Sequence, residues 1–348
     1  MLIDLEIRNL RIIEHALLPC DPNHNVITGS NGSGKTTIIE AVALAATGRS
    51  FRTRTGVPLV RFGTEEAALR ARFALASQTI EERRVHCRLG QRELLAEGAP
   101  VLAQDAARVT PILVLTSDLI AGVARSAQDR RRFWFWLMFH VEPRFGELWS
   151  RFRRALQQRN AALARKDPAL NAWDTPLIEL GEALLRQLST SFDQWSALWP
   201  RFAQALGLGA LEATLYRGFD GPAFGEALSA HRATDRSRGF TGVGPHRADL
   251  VFRLNGHPLA TFASQGQIKL AVAALFAAQI ELIRQQRGAL IAVVDDLPAA
   301  LDPEHAGLLG ELFCDLPAQR FITTQSGDWA SSRGKRFHVE QGEVRPEK

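Results

Sequence analysis

One octapeptide, Gly29-Ser30-Asn31-Gly32-Ser33-Gly34-Lys35-Thr36, limits what this chain can fold into more than any other stretch. Its spacing is G-x-x-x-x-G-K-[ST], the pattern of a phosphate-binding loop. Its glycines let the backbone turn back on itself, with positive φ at some positions, so that successive N–H groups converge on one concavity. Lys35 would then reach the β- and γ-phosphates of a nucleotide, and the Thr36 hydroxyl would hold Mg²⁺. The flanks agree. Residues 25–28 read as a short strand and residues 37–46 as a helix ending at Gly48. The partial positive charge of that helix N-terminus points at the phosphates. Gly29, Ser30, Asn31, Gly32, Ser33, Gly34, Lys35, Thr36 and Thr37 are therefore the expected nucleotide-binding residues.

A length of 348 residues allows two domains, or one large domain with an insertion. The net charge of +5 is carried by arginine, since Lys35, Lys166, Lys269, Lys335 and Lys348 are the only lysines. That scarcity sharpens the P-loop, because a chance lysine at position 35 is less expected here. A mild basic excess permits binding to a phosphate backbone without requiring it. No stretch approaches the roughly 18 consecutive apolar residues of a membrane span. The opening residues alternate like a half-buried strand, with no signal-peptide anatomy. Cys20, Cys87 and Cys314 are isolated, suggesting neither a disulfide framework nor a zinc cluster. The expectation is a reducing, cytoplasmic setting.

The opening strand and a second, over residues 11–18, read as a hairpin leading to the P-loop strand. Three alternating runs (67–74, 82–89 and around 93–95) read as an antiparallel sheet. Residues 111–115 are a buried-strand candidate. From Ser126 the pattern becomes helical up to Gly207, interrupted at Pro143, Pro168, Pro176 and Pro200, with a hairpin expected to turn near Lys166-Asp167-Pro168. Strands return at 211–216 and 248–254, the latter ending in an Asn255-Gly256 turn, and again at 290–294 and 320–323. The expected boundaries are 1–125 for the first part of the head, 126–238 for a helical insertion and 239–348 for the rest.

The second half says which kind of nucleotide protein this is. Residues 290–296, Leu-Ile-Ala-Val-Val-Asp-Asp, form an apolar strand ending in two carboxylates. Asp295 would bind Mg²⁺, directly or through water, and Asp296 would orient or deprotonate the attacking water. Asp302 follows in Ala300-Leu301-Asp302. Upstream, Ser264-Gln265-Gly266-Gln267 opens an apolar helix, and a serine, a glycine backbone and a glutamine there can bind a γ-phosphate or simply cap the helix. Trp134, Trp136 and Trp149 have the spacing of core residues. Arg130, Arg131 and Arg132, and the basic helix containing Arg151, Arg153, Arg154 and Arg159, followed by Arg165 and Lys166, fit two readings. They can track DNA phosphates, or form a solvated face paired with Glu142 and Glu147. His246 and Arg247 can contact phosphate or hold a loop.

The ordered series of P-loop, S-x-G-Q helix, paired aspartates and A-L-D resembles an ABC-type ATPase head. The implied fold is α/β, a mixed sheet around a P-loop helix with an inserted α-helical lid subdomain. The resemblance becomes specific through the opening up to the P-loop, Gly48-Arg49-Ser50-Phe51-Arg52-Thr53, and Arg130-Arg131-Arg132-Phe133 leading to residues 139–145. It continues through Gly244-Pro245-His246-Arg247-Ala248-Asp249, Ser264-Gln265-Gly266-Gln267 with Lys269, and Asp295-Asp296. These stretches, spread over nearly the whole chain, resemble the RecF family, recombination-repair ATPases of the SMC/Rad50-like group.

The resemblance implies an ATP-dependent homodimer that binds gapped or junction DNA, works with RecR and RecO, and helps load RecA, with slow, DNA-stimulated hydrolysis of ATP-Mg²⁺. It implies that Lys35, Asp296 and Ser264 are catalytic and that Thr36 and Asp295 hold the metal. Ser264, Gly266 and Gln267 would act on the partner's nucleotide, with Asp302 at the seam. Two departures stand out: Thr324 or Gln325 where such heads often carry a switch histidine, and Pro298 in the link to Asp302. A glutamine-loop residue is expected near Thr116–Asp118. Rival readings are an ABC ATPase coupled to a partner such as a transporter, and a module in which ATP only glues a dimer.

Overall fold

The computed structural model describes residues 1–53, 59–88, 91–297, 301–325 and 334–347; Arg54, Leu89, Pro298 and Ala300 lie outside the described residues. The chain opens with strands β1 (Leu2–Leu10), β2 (Ile13–Pro19) and β3 (His24–Thr28), then the P-loop and helix α1 (Lys35–Thr47). Next come β4 (Glu66–Ala74), β5 (Ile80–Arg88), β6 (Gln91–Ala96), β7 (Ala99–Pro100), α2 (Ala103–Val109) and β8 (Ile112–Leu115). A helical stretch follows: α3 (Ser117–Arg125), α4 (Ala127–Val141), α5 (Phe145–Ala164), α6 (Asn171–Ser196) and α7 (Trp199–Ala205). The chain continues through β9 (Leu211–Tyr216), α8 (Phe224–Ala230), α9 (Arg232–Arg238), β10 (Asp249–Leu254), β11 (His257–Pro258) and α10 (Leu259–Phe262). It closes with α11 (Gln265–Arg287), β12 (Ile291–Asp295), α12 (Pro303–Asp315), β13 (Gln319–Thr324), β14 (Lys335–Glu340) and β15 (Glu343–Glu347).

Two six-stranded sheets enclose α1. One runs β2-β1-β4-β5-β6-β7, with antiparallel neighbours throughout. The other runs β15-β14-β3-β13-β12-β8, parallel except for β15. Strands β3 and β13 are buried along their whole length and β12 nearly so, as expected of a parallel sheet covered on both faces. Helix α1 is buried almost all round, because Ile38, Val42 and Ala45 share one core with Leu5, Ile7 and Leu69 of one sheet and Val293 and Phe321 of the other. The strand read at residues 320–323 is β13 (Gln319–Thr324), which places Thr323 beside Asp295 in register.

The second core gathers around α11. This helix is long and apolar enough to cross a membrane, against the expectation of no such segment, but it is mostly buried. Its side chains share one cluster with Val123 of α3, Trp134 and Met138 of α4, Leu184 of α6, Phe202 of α7 and Leu250 of β10. Core burial therefore accounts for its composition. Helices α4 to α8 use this same core, whereas α9 buries only Asp235, and among the described residues Ala162, Leu163 and Leu170 form a separate small cluster. Trp134 is fully buried and Trp136 donates its Nε1–H to Ile112 O at 2.7 Å, so these tryptophans pack. The α5–α6 hairpin turns at residues 165–170, but Pro176 does not interrupt: α6 runs through it. Burial of Leu177, Leu184 and Leu188 offsets the one helical hydrogen bond that proline forgoes.

A buried polar knot ties these helices together. Arg159 Nε donates to Asp174 Oδ1 and its Nη1 to Asp235 Oδ2, both at 2.7 Å, with Thr241 also in reach, and all three ionised side chains are almost fully buried. This corrects the reading of Arg159 as part of a phosphate-tracking face. Replacing Arg159 with alanine takes the ion-pair partner from buried Asp235 and leaves Asp174 with Arg232 alone, and is expected to cost about 3–5 kcal/mol. The exposed Arg153→Ala should stay within about 0.5 kcal/mol; urea denaturation of the two variants checks the contrast.

His140, fully buried beside Trp136 and Phe139, has its pKa pushed down to about 3, chiefly by burial and then by Arg287. The unfolded chain protonates this ring near pH 6.5 and the folded chain does not, so its contribution to stability falls as pH drops from 6.5 toward 3. Thermal denaturation of His140→Phe is expected to show a shallower loss of stability across that window than the native chain.

Candidate nucleotide-binding site

The P-loop leaves the C-terminal end of β3 and enters α1 with positive φ at Gly29 (145°), Gly32 (78°) and Gly34 (119°). Gly29 has a second constraint: a Cβ there would stand 2.3 Å from the carbonyl oxygen of Val339 in β14. Two turns brace the loop from behind. The Gly342 N–H between β14 and β15 donates to Ser33 O at 2.9 Å, and Ile12, between β1 and β2, lies against the Gly34 position. Lys35 arches over the loop, its Nζ donating to Gly29 O at 2.7 Å and Ser30 O at 2.9 Å. Burial lowers its pKa, and the nearby Asp296 and Asp295 pull the other way.

Two carboxylates meet this loop. Asp295 at the end of β12 lies 3.2 and 3.3 Å from the Thr36 hydroxyl and accepts from Thr323 Oγ1 at 2.6 Å. Burial raises its pKa, while the hydroxyls of Thr323 and Thr36 oppose that. A hydroxyl and a carboxylate converging at this spacing are hard oxygen donors of the kind Mg²⁺ takes, so the residues fit that ion. Asp296 sits in the left-handed region (φ 48°), held there by hydrogen bonds from its N–H to Thr323 Oγ1 (2.9 Å) and Thr323 O (3.2 Å). Gln325 Nε2 reaches Asp296 Oδ2 at 3.5 Å, whereas Thr324 is buried in the sheet. Of the two candidate switch positions, the structure brings Gln325 to the carboxylate. Lys269 on α11 is near enough to Asp296 to feel its charge. Thr116 follows β8, whose Leu115 pairs with Val294, so it leaves the sheet level with Asp295; its hydroxyl caps α3 by accepting from Leu119 N.

Sequence reading missed Thr323 and Glu40. Glu40, buried on α1, takes a bidentate pair from Arg11, a hydrogen bond from Ser50 and an ion pair from Arg52 at 3.7 Å, and the Arg52 charge weakly opposes the rise that burial gives the Asp295 pKa. The signal for Glu40 was present: a lone carboxylate in the run 38–46, which is otherwise apolar. Thr323 gave none, because a threonine in an apolar run reads as strand filling.

Ser264 and Gln267 form a reciprocal capping box at the start of α11, with Gln267 N donating to Ser264 Oγ at 3.1 Å and Ser264 N to Gln267 Oε1 at 2.9 Å. Both residues are exposed. Asp302 likewise caps α12 and pairs with His305 Nδ1 at 2.7 Å. Among the described residues no hydrogen bond joins Ser264, Gln267 or Asp302 to residues 29–37 of the same chain. A Cβ on Gly266 would meet Leu301 Cδ2 at an ordinary 3.5 Å, so nothing among the described residues demands glycine there.

The arginine candidates separate. Arg130 makes a bidentate pair with Asp249 (2.8 and 2.7 Å), and Arg131 donates to Ala248 O at 3.2 Å, fastening α4 to β10. The structure thus gives these two an internal role in place of the phosphate contacts considered from sequence. Arg132, Arg151, Arg153 and Arg154 are exposed, with Arg151 3.9 Å from Glu147. His246 is tucked against Thr241 O at 3.2 Å with its pKa down to about 4 through burial, which fits loop-holding.

The family model described as RecF/RecN/SMC N terminal domain matches residues 1–343. A protein named DNA replication and repair protein RecF from Thioalkalivibrio sulfidiphilus is 37% identical, with 98% of each chain covered. The chain belongs to the RecF family. It shares the ABC-type P-loop ATPase head of that SMC/Rad50-like group. A RecF of the same name from Pseudomonas fluorescens is 35% identical over 93% of this chain and 92% of its own. Among solved structures, the recombination mediator protein RecF-ATP in the RecFOR pathway superposes with a TM-score of 0.86 at 21% identity, covering 100% of this chain and 97% of that one. The Smc head domain of Pyrococcus furiosus bound to the C-terminal domain of ScpA gives 0.62 at 17% identity, with 99% and 95% covered.

Gly29→Ala combines a backbone clash with a φ that alanine tolerates poorly. The strain of about 1–3 kcal/mol predicts nucleotide binding weakened by about tenfold or more. Titration with a fluorescent ATP analogue checks this. Gly266→Ala, free of clashes with the described residues, should bind it normally.

Proposed function

We propose that the chain is an ATP-gated clamp of the RecF kind. It would dimerise around two ATP molecules, bind gapped or junction DNA, act with RecR and RecO in loading RecA, and hydrolyse ATP slowly, faster on DNA. The observation that carries this is the convergence of the P-loop, the Thr36 hydroxyl and the Asp295-Asp296 pair while Ser264 and Gln267, with half-buried Gly266 between them, stand exposed and make no hydrogen bond to that cluster among the described residues. A head with only the first group holds a nucleotide; the second group gives it something to offer a neighbour's nucleotide. We assign residues 1–125 and 239–348 to the head and 126–238 to the lid. A cytoplasmic setting fits this role.

On this reading residues 29–37 grip the phosphates through convergent N–H groups at the positive end of α1. Lys35 exchanges its two loop carbonyls for β- and γ-phosphate oxygens. Thr36 and Asp295 would hold Mg²⁺, which would supply positive charge to offset that of the phosphates and of the departing ADP. Asp296, fixed by the end of β13, orients the attacking water or takes its proton, and Gln325 beside it is placed to register the γ-phosphate. Ser264, Gly266 and Gln267 complete the site across the dimer, with Asp302 at the seam, so hydrolysis waits for association. Arg132, Arg151, Arg153 and Arg154 are the remaining candidates for DNA phosphates.

Sedimentation velocity with and without ATP, a labelled gapped duplex included, tests the clamp. The expected result is an ATP-dependent dimer that captures the duplex, persists longer in Asp296→Asn and is lost in Lys35→Ala. A monomer in all conditions that ignores DNA would overturn it. If the exposed arginines touch phosphates, Arg151→Ala, Arg153→Ala and Arg154→Ala together should flatten the slope of log affinity against log salt by about 0.7–0.9 per lost contact, and Arg130→Ala should act through stability instead.

A further inference from the structure

We propose that Thr323 is a positioning residue that couples the metal carboxylate to the catalytic carboxylate through one hydroxyl; the inference rests on the ATPase reading above. Thr323 is fully buried at the end of β13, in parallel register with Asp295. Its Oγ1 donates to Asp295 Oδ1 at 2.6 Å and accepts the Asp296 N–H at 2.9 Å. The result is a continuous chain, Asp296 N–H to Thr323 O–H to Asp295 carboxylate, in which each bond polarises the next. The donor to Asp295 leaves the other lone pairs of that carboxylate facing Thr36 at 3.2–3.3 Å, where a cation would sit. The acceptor role, shared with the Thr323 carbonyl at 3.2 Å, secures Asp296 at φ 48°, a left-handed backbone that a non-glycine residue adopts at a cost. A single side chain from a neighbouring strand thereby sets the aim of both aspartates.

The chemistry requires both functions of a hydroxyl. Valine matches the shape and strand preference of threonine but neither donates nor accepts. Serine keeps both capacities and loses a methyl. Packing alone would rank the variants oppositely, with valine benign and serine the worse.

The experiment compares the native chain, Thr323→Val and Thr323→Ser. Three quantities are measured: binding of a fluorescent ATP analogue in excess EDTA, Mn²⁺ affinity of the nucleotide-bound protein by EPR, and hydrolysis across a Mg²⁺ titration. The expected result for Thr323→Val is metal-free nucleotide binding close to native, with Mn²⁺ affinity and kcat each down by about 10–100-fold. Thr323→Ser should restore most of both. Native metal affinity and kcat in Thr323→Val would overturn the inference, as would a valine variant that outperforms the serine one. Parallel loss of metal-free binding in both variants would also overturn it, since that reports collapse of the site. A native chain that neither binds nor hydrolyses ATP would instead contradict the ATPase reading itself.

Discussion

The contact between Thr36 and Asp295 joins residues 259 positions apart, and most of the architecture exists to make it possible. Thr36 lies at the first turn of a helix that follows β3; Asp295 ends β12. These strands are not neighbours. Strand β13 lies between them, parallel to both, so their ends reach the same edge of one sheet. The helix is then fixed in azimuth by burial on nearly every side, which leaves the Thr36 hydroxyl one direction to face. A loosely held helix would not keep a hydroxyl within a few tenths of an ångström of a carboxylate. Rigidity of this kind comes from packing two sheets on one helix.

Legibility of the site followed the chemistry of each residue. The P-loop could be read because glycine spacing, a lysine and a hydroxyl answer to phosphate geometry that no packing requirement imitates; Gly29 against Val339 shows the same glycine meeting a packing demand as well. Asp295 and Asp296 could be read because carboxylates ending an apolar strand are costly unless used. Ser264 and Asp302 carry two meanings at once, since each caps a helix in the folded chain, and capping explains their residue types without any ligand. Thr323 was invisible because threonine suits a strand, and its importance depends on a register that only the fold supplies.

Arginine was the hardest residue to read. The run Arg130-Arg131-Arg132 divides into two internal staples and one exposed side chain, and the basic face of α5 contains Arg159, sealed in a buried triad with Asp174 and Asp235. Periodicity gives the face a residue occupies but not whether a partner carboxylate waits there from a distant segment. Asp235 and Asp249 lie 76 and 119 residues from the arginines they pair with. The Arg130–Asp249 pair crosses from the helical segment to β10, so a polar contact of that segment, like its apolar ones, reaches the later part of the chain.

The central claim is that the nucleotide site is divided between two copies of the chain. Mixing two inactive variants, Lys35→Ala and Ser264→Arg, tests it most directly. In a mixed dimer one site combines the intact P-loop of the Ser264→Arg copy with the intact S-x-G-Q segment of the Lys35→Ala copy, and the other site combines both lesions. A divided site predicts that ATP hydrolysis, absent in either variant alone, returns on mixing and rises with the fraction of mixed dimer. Continued inactivity in mixtures shown to contain that dimer would place the whole reaction within one chain and contradict the claim.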